Sequence, residues 1–259
     1  MNYIHTDYYN FLFKNNFFNS KQIILKNGFN LMEKELLKLG SKKIIIPTYN
    51  YDFVKKKVFR IKKDKSHSGS FTEYFRKKYN YNRTHIPIYS SCSNFKIINF
   101  KKEKKVIDVL GLDSDFNYLM SNNGNIIHFE CNFGSTFMIF IEKLNFKKII
   151  YRYSKKIDGV FLDGNTKKNV SIDLFVRPRK LNITYDLIKI KDDLFKNNIL
   201  KQKKIGLFDC FIYNSNKFFE FCNYKLSKDS LYFLDKKSKI ELKKNNINLK
   251  NKEKIKKFD

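Results

Sequence analysis

Proton-transfer chemistry in this chain would depend on few side chains, because the sequence contains only four histidines. His85, His128 and the carboxylate of Asp173 are candidates for a general base, the group that removes a proton from an attacking nucleophile. Each also has a simpler interpretation. His85 could cap a turn, Asp173 could pair with an arginine, and His128 lies in the apolar run IIHFE, where a hydrogen-bonded strand histidine is the better explanation.

A predicted helix beginning at Gly134, Ser135 and Thr136 offers a second kind of chemistry. Residues 137–141 are apolar on every side of this helix, which indicates that it is buried. Its amino end exposes free N–H groups and the positive end of the helix dipole, which suit a phosphate, a thioester oxygen or an oxyanion. On pattern alone, an ordinary buried strand–helix–strand segment is the simpler interpretation.

Glu142 ends that apolar run and is the one charge in it. A buried carboxylate requires a partner, and the nearest candidates in sequence are Arg152 and Lys155. Of all the basic residues we expect an arginine to bind it, either Arg152 or Arg83. The chain strongly favours lysine, so the arginines that lie in the segments of interest suggest a need for the planar, bidentate guanidinium. Arg76 and Arg177 are two further arginines in these segments.

The four cysteines, Cys92, Cys131, Cys210 and Cys222, show no CxxC pair and no regular spacing. Neither a zinc site nor a disulfide scaffold is therefore predicted, and we expect no metal. Cys131 and His128 are conceivable as a nucleophile and its base. Because they are three residues apart near a strand end, we expect their side chains to point to opposite faces.

Hydrophobic periodicity predicts the elements that position these side chains. Ser70 and Glu73 are expected to form a capping box at one helix start, and Thr184 is expected to cap another helix. Residues 55–65 are predicted to be a basic, solvated loop. The predicted strands cover residues 1–7, 43–47, 125–130, 170–177, 205–213 and, at an edge, 231–234. The predicted helices cover residues 22–40, 71–79, 115–120 (capped by Ser114) and 217–226, besides those starting near 134 and 184.

The fold class expected from this pattern is α/β, as a single three-layer α/β/α domain with a mixed central sheet over residues 1–235. A chain of 259 residues that is 42% hydrophobic can bury the core of such a domain. Lysine and asparagine dominate residues 236–259, which we expect to be a frayed helix or a disordered tail.

The formal net charge of +28 would ordinarily suggest a nucleic-acid partner. The lysines, however, are scattered through every segment, so a solvated surface is at least as good an interpretation, and no specific nucleic acid is expected. No stretch is long enough to span a bilayer, and the amino terminus is too polar for a signal peptide. The expected compartment is a reducing cytoplasm.

Several segments resemble the aminoglycoside 3-N-acetyltransferase family and its amino-sugar relatives. Residues 135–142 (STFMIFIE) and 151–159 (YRYSKKIDG) carry the resemblance most specifically. Residues 83–90 (RTHIPIYS) resemble the family's RSxHPxHS segment, with Ile86 and Tyr89 in place of the two histidines. The family's GxLxExFR pattern is matched over residues 69–76 by Gly69, Glu73, Phe75 and Arg76. The resemblance covers roughly residues 1–177.

The resemblance implies that acetyl-CoA is the co-substrate and that an amino sugar is the acceptor. In the family, acetyl passes directly from coenzyme A to a sugar amine, and a histidine oriented by an acidic residue removes the amine proton. By matching position, the residues implied to bind acetyl-CoA are His5, Thr6, Asp7, Thr48, Gly69, Arg76, Arg83, Ser90, Ser135 and Thr136.

One departure from the family concerns the base itself. The family helix carries Thr-x-x-His-x-x-Glu, and this chain has Thr136, then Ile139 in place of the histidine, then Glu142. Another group could serve as the base, the acceptor amine could be partly neutral and need only positioning, or the reaction could be lost and a binding role kept. The candidates for the catalytic group are His85, Asp173 and Glu142.

The acceptor expected from the charge is a nucleotide-linked amino sugar for a surface glycan. Aminoglycosides are polycationic and suit acidic clefts, so a strongly basic chain matches them poorly. An aminoglycoside 3-N-acetyltransferase and a non-catalytic protein that binds coenzyme A or nucleic acid remain the alternatives. A homodimer is possible.

Overall fold

The structure, a computed structural model, describes residues 1–14, 21–97, 106–134 and 136–259. Its strands are β1 (Asn2–Thr6), β2 (Ile44–Pro47), β3 (Val58–Arg60), β4 (Ser91–Ser93), β5 (Val106–Asp108), β6 (Asn125–Phe129), β7 (Tyr153–Asp163), β8 (Thr166–Val176), β9 (Lys201–Ile205) and β10 (Phe208–Asn214). Its α-helices are α1 (Tyr8–Lys14), α2 (Lys21–Leu37), α3 (Phe53–Lys56), α4 (Ser70–Lys78), α5 (Asp115–Ser121), α6 (Phe137–Leu144), α7 (Leu187–Lys196), α8 (Ser215–Lys228) and α9 (Lys236–Lys244). Short 3-10 segments cover Asn80–Asn82 and Leu249–Phe258.

A six-stranded mixed sheet lies at the centre, in the order β4-β2-β1-β6-β10-β9. Strand β1 pairs in parallel with both β2 and β6, and the flanking strands β4, β10 and β9 are antiparallel to their neighbours. Alternating side chains of this sheet enter two hydrophobic clusters, since Ile4 packs with residues of α1, α2 and α4, whereas Tyr3 packs with residues of α5, α6 and α8. The predicted α/β class, with a mixed sheet and helices on both faces, is confirmed.

A second, four-stranded sheet in the order β3-β7-β8-β5 was not expected from the sequence. Strand β3 falls in the segment predicted to be a solvated loop and pairs in parallel with β7. The prediction was wrong because a half-buried strand needs only alternate apolar residues, and Phe59 and Ile61 lie buried between the exposed basic ones.

Gly159 on β7 permits the ring of Phe53 to approach, because a Cβ there would lie 2.6 Å from it.

Two helix caps differ from the sequence prediction. Helix α4 begins at Ser70 itself, after Gly69, without a side-chain cap, and Glu73 is bound by Arg76 instead. Helix α7 is capped by Asp186, whose side chain accepts a hydrogen bond from the amide of Lys189. In both cases the helix starts one or more residues away from the expected cap, so the hydroxyl is not placed over the first-turn amides.

The carboxy-terminal third also departs from expectation at three places. The predicted single strand over 205–213 is a hairpin of β9 and β10 that turns at Gly206, where φ is +61°. Residues 231–234 form a turn with an isolated bridge between Tyr185 and Leu234 rather than an edge strand. Residues 236–259, expected to be frayed or disordered, form α9 and a 3-10 segment whose Leu242, Ile247 and Ile255 are buried in the main cluster.

In the parts of the chain that the structure describes, no helix combines the length and the apolar character needed to cross a bilayer.

Asp115 in the first turn of α5 is a buried carboxyl that links this helix to the segment leading into β4. It is 2% exposed and accepts a hydrogen bond from the Thr84 hydroxyl at 3.0 Å. Burial raises the pKa of Asp115 to about 7, and hydrogen bonds from Ser91 and Thr84 lower it only in part. The native state therefore retains a proton that the unfolded chain has already released.

We expect Asp115→Asn to change how stability depends on pH. Because the folded-state pKa is raised, the free energy of unfolding of the wild type should fall as pH rises from about 4 to about 7, by up to about 4 kcal/mol. The asparagine variant lacks this contribution, so its stability relative to the wild type should increase over the same range. Urea denaturation at several pH values measures this, with exposed Asp192→Asn as the control. A constant difference between variant and wild type would contradict the assignment.

Candidate functional site

A pocket of about 440 Å³ lies where the carboxyl ends of β1, β2 and β6 meet. In α/β folds, ligands commonly bind outside the carboxyl ends of parallel strands. The lining residues that the structure describes are His5, Thr6, Pro47, Tyr49, Ser68, Thr72, His128, Cys131, Asn132, Gly134 and Thr136.

Two histidines stack against each other in this pocket. His5 on β1 and His128 on β6 are direct partners in the parallel register, so both side chains leave the same face of the sheet. Their ring centroids are 5.0 Å apart and their planes differ by 11°. Burial lowers the pKa of His5 to about 4; burial, and secondarily the charge of His5, lowers the pKa of His128 well below its usual value. Both imidazoles are therefore neutral at neutral pH, the form that accepts a proton.

The two imidazoles differ in their hydrogen bonds. His128 Nε2 lies 3.3 Å from the hydroxyl of Tyr213. His5 Nε2 is shielded from solvent and has no hydrogen-bond partner among the described residues. A shielded nitrogen without a partner is costly to bury, so it marks a place where a ligand group would complete the bonding. His5 Nε2 is thus the better-placed proton acceptor in the pocket.

Cys131 lies beside His128, contrary to the prediction that the two would point to opposite faces. The Cys131 sulfur is 3.8 Å from His128 Nδ1. The reason is Glu130, which has a left-handed φ of +56° immediately after β6 and therefore ends the strand's alternation. Glu130 is anchored by Lys14 at 2.9 Å and accepts a bond from the Asp209 amide. Burial raises the pKa of the Cys131 thiol to about 12, so at rest the sulfur is protonated.

Tyr49 and Thr136 lie on the side of the pocket formed by the start of α6. The Tyr49 hydroxyl is 3.0 Å from that of Tyr3. Burial raises the pKa of Tyr49, which keeps its proton available for donation. Ser135, predicted to bind acetyl-CoA, lies outside the described residues.

The structure divides the other residues implied to bind acetyl-CoA into two groups. His5, Thr6 and Thr136 line the pocket. The other residues do not line the pocket and make structural contacts near it. Asp7 accepts hydrogen bonds from the amides of Tyr9 and Asn10 at the start of α1. Gly69 precedes α4 with a φ of +118°.

Arg83 organises the largest part of this supporting group. Its guanidinium donates to the backbone carbonyls of Thr48 at 2.9 Å and Ile61 at 2.9 Å, and to the Ser90 hydroxyl at 3.2 Å. Arg83, Thr48 and Ser90 are all buried. Arg76 donates to Glu73 and to the carbonyl of Lys62. These residues fix the end of β2 and do not line the described pocket.

None of the three candidates for the catalytic group lines the pocket. His85 lies against the ring of Phe161, with a centroid distance of 5.0 Å, and near Asp163. Asp173 on β8 binds Lys143 at 2.6 Å. The sequence could not exclude His85 and Asp173, because their positions follow from the second sheet, which it did not predict.

Glu142 is bound inside the core by the arginine that the sequence predicted. Its carboxylate is 0% exposed and lies 2.5 Å from Arg152 Nε. The hydroxyls of Tyr151 and Tyr185 each donate to it at 2.6 Å. Arg83, the alternative partner, binds elsewhere. Both carboxylate oxygens are thus occupied, so Glu142 fixes α6 and is not available as a proton acceptor.

Glu142→Ala should lower the free energy of unfolding by about 3–5 kcal/mol, because it leaves the buried Arg152 guanidinium without its counter-charge. Chemical denaturation monitored by circular dichroism measures the change. Glu253→Ala removes a carboxylate that is 71% exposed and should alter stability by no more than about 0.5 kcal/mol. Equal effects of the two substitutions would show that the buried pair does not stabilise the fold.

The chain matches no family model and no curated protein, and the comparisons that succeed are with solved structures. An aminoglycoside acetyltransferase AAC(3)-IVa mutant in complex with gentamicin aligns with a TM-score of 0.65 and 10% identity, covering 100% of this chain and 90% of that one. AAC-IIIb in a binary complex with CoASH aligns with a TM-score of 0.63 and 12% identity, covering 88% and 89%. The YokD protein of Bacillus subtilis aligns with a TM-score of 0.61 and 12% identity, covering 88% of this chain and 87% of that one.

These matches define the class of fold. The chain has the α/β fold of the aminoglycoside 3-N-acetyltransferases, and the resemblance inferred from its motifs is confirmed at the level of the fold. The sequence identities are too low to transfer an activity.

The histidine pair should make the protein less stable in acid. The native-state pKa values of His5 and His128 are lowered, so their contribution to stability is present above about pH 6.5 and is lost as pH falls toward 4. We therefore expect His128→Asn to lose less stability than the wild type between pH 7 and pH 4 in guanidinium denaturation. His67→Asn, outside the pocket lining, serves as the control. Parallel curves for wild type and His128→Asn would contradict the buried neutral pair.

Proposed function

We propose that this protein transfers an acetyl group from acetyl-CoA to the amine of an amino sugar. The observation that carries the proposal is the meeting, in one pocket, of the amino end of a buried helix with a neutral imidazole nitrogen, His5 Nε2, that has no partner among the described residues. Two of the structures with this fold support it, since one is bound to CoASH and another to gentamicin.

Each part of the reaction has a group in the pocket that suits it. Oxyanion stabilisation requires hydrogen-bond donors fixed before the reaction, and the Tyr49 hydroxyl together with the start of α6 at Thr136 provides that environment for the thioester oxygen. His5 Nε2 accepts the proton that the amine loses when it forms the amide. Glu142 contributes by holding α6 through Arg152 and has no role in proton transfer.

The proposed acceptor is a neutral or anionic amino sugar, such as one linked to a nucleotide for surface-glycan synthesis. None of the described residues that line the pocket is a carboxylate, and a polycationic ligand would need several. The net charge of +28 favours an anionic ligand further. The proposal places the reaction in the cytoplasm, as the four unpaired thiols favour.

An aminoglycoside acceptor is the second candidate. The observation in its favour is the shared fold, since the structures that align with this chain include several aminoglycoside acetyltransferases. A third candidate, a binding protein that has lost catalysis, is favoured by Ile139 in the position of the family histidine. Ile139 is partly buried against the main hydrophobic cluster and does not line the described pocket.

The experiment combines binding with turnover. Calorimetry should detect acetyl-CoA binding by the wild type, and a thiol-release assay should detect turnover with a nucleotide-linked amino sugar and little with gentamicin. His5→Asn should lower kcat by about 10²–10⁴-fold with acetyl-CoA affinity nearly unchanged, because it removes the proton acceptor. His67→Asn is the control and should retain wild-type turnover.

The alternatives give different outcomes in the same assay. Faster turnover with gentamicin than with nucleotide sugars would favour the aminoglycoside acceptor. Binding without turnover would favour the binding protein, and Ile139→His could then restore a trace of activity. Activity lost in His85→Ala or Asp173→Asn but kept in His5→Asn would contradict the assignment of the base. No acetyl-CoA affinity at low salt would contradict the function altogether.

A further inference from the structure

Cys131 differs from the other three cysteines of the chain. Cys92, Cys210 and Cys222 are 0% exposed in the hydrophobic clusters. Cys131 is partly exposed and lines the pocket with both histidines. It is thus the one thiol that a molecule in the pocket could reach.

The thiol is paired with a base. His128 Nδ1 lies 3.8 Å from the Cys131 sulfur, within range of a sulfur hydrogen bond, and His128 Nε2 lies 3.3 Å from the Tyr213 hydroxyl. In the tautomer in which Nε2 donates to Tyr213, Nδ1 is free to accept the thiol proton. A nucleophile in contact with a base, whose other nitrogen is oriented by a third group, is the arrangement of covalent catalysis.

Independent features of the same pocket point to a ligand at this thiol. His5 Nε2 is shielded from solvent and unpartnered among the described residues, and its ring stacks on that of His128. The contact between Cys131 and His128 exists only because Glu130 adopts its left-handed conformation, which Lys14 and the Asp209 amide hold in place. The fold therefore maintains an uncommon backbone conformation that brings the thiol to the base.

We propose that Cys131 carries the acetyl group as a thioester between the donor and the acceptor. This inference rests on the proposed acetyltransferase function and specifies its chemical route.

The first step exchanges one thioester for another. The Cys131 sulfur forms a bond to the acetyl carbon as its proton passes to His128 Nδ1. The bond from that carbon to the sulfur of coenzyme A breaks, and coenzyme A leaves as a thiol with the proton from His128. Since burial keeps the resting thiol protonated, the proton must move as the new bond forms, which requires the direct contact with His128.

The second step releases the product. The acceptor amine forms a bond to the acetyl carbon, the bond from carbon to the Cys131 sulfur breaks, and His5 Nε2 accepts the amine proton. That proton returns to the sulfur through solvent, so the enzyme ends as it began. The sum is acetyl-CoA plus amine giving amide plus coenzyme A, with no oxidant or reductant.

The test begins with the full chain and acetyl-CoA in the absence of an acceptor. Mass spectrometry should find one acetyl group on the peptide that contains Cys131, removable by hydroxylamine and by an acceptor amine. Initial rates measured against both substrates should give parallel double-reciprocal lines. Cys131→Ala and the nearly isosteric Cys131→Ser should lower kcat by at least about 100-fold while acetyl-CoA still binds. Cys222→Ala removes a buried thiol outside the pocket and should retain both the label and the turnover.

Each other outcome overturns either the route or the function. Wild-type turnover by Cys131→Ala, with intersecting lines, would overturn the covalent route and leave the acetyltransferase function standing. Acetyl found on lysines or on another cysteine, and not on Cys131, would overturn the route as well. A wild type that neither binds acetyl-CoA nor releases coenzyme A with any acceptor would overturn the proposed function itself.

Discussion

The parallel pairing of β1 with β6 is the constraint on which the rest of the site depends. Its register places His5 directly opposite His128, and the polarity of parallel strands brings both to the same end of the sheet as Pro47 of β2. Burial in this shielded site disfavours protonation of both imidazoles, and the charge of a protonated His5 disfavours protonation of His128 further, so the packing itself fixes their neutral state. A one-residue shift of this register would turn one ring to the opposite face and separate the pair.

The buried ion pair of Glu142 and Arg152 serves the same site from the other side. Helix α6 is apolar apart from its end, and hydrophobic contact alone would leave its rotation and axial position weakly specified. The carboxylate, held by Arg152, Tyr151 and Tyr185, fixes both, and so fixes the amino end of the helix at the pocket. The architecture therefore accounts for Glu142 without any role in proton transfer.

Much of the local structure followed from the sequence. Residues 1–7, 43–47 and 125–130 were correctly predicted as strands, Ser114 as the cap of α5, and Arg152 as a partner of Glu142. These predictions rest on properties that act over a few residues or on a rule of charge compensation, which one sequence displays directly. The prediction for β3 failed because charged residues hid the apolar residues that alternate with them and are buried. The prediction for Cys131 failed because a single left-handed residue, Glu130, ended the alternation of side chains along the strand. Segment 236–259 forms helical structure instead of the expected frayed or disordered tail, because three apolar side chains among its many lysines pack into the main hydrophobic cluster.

The sequence by itself determined the class of fold and the buried helix with its bound carboxylate. Only the tertiary structure decided which titratable groups meet. His5 and His128 are 123 positions apart in the chain, and their contact follows from strand order and register, which depend on the packing of the whole sheet. The same packing placed His85 and Asp173 against the second sheet and away from the pocket. A residue's type gives its possible chemistry, but its pKa and its partners come from neighbours that only the folded chain supplies.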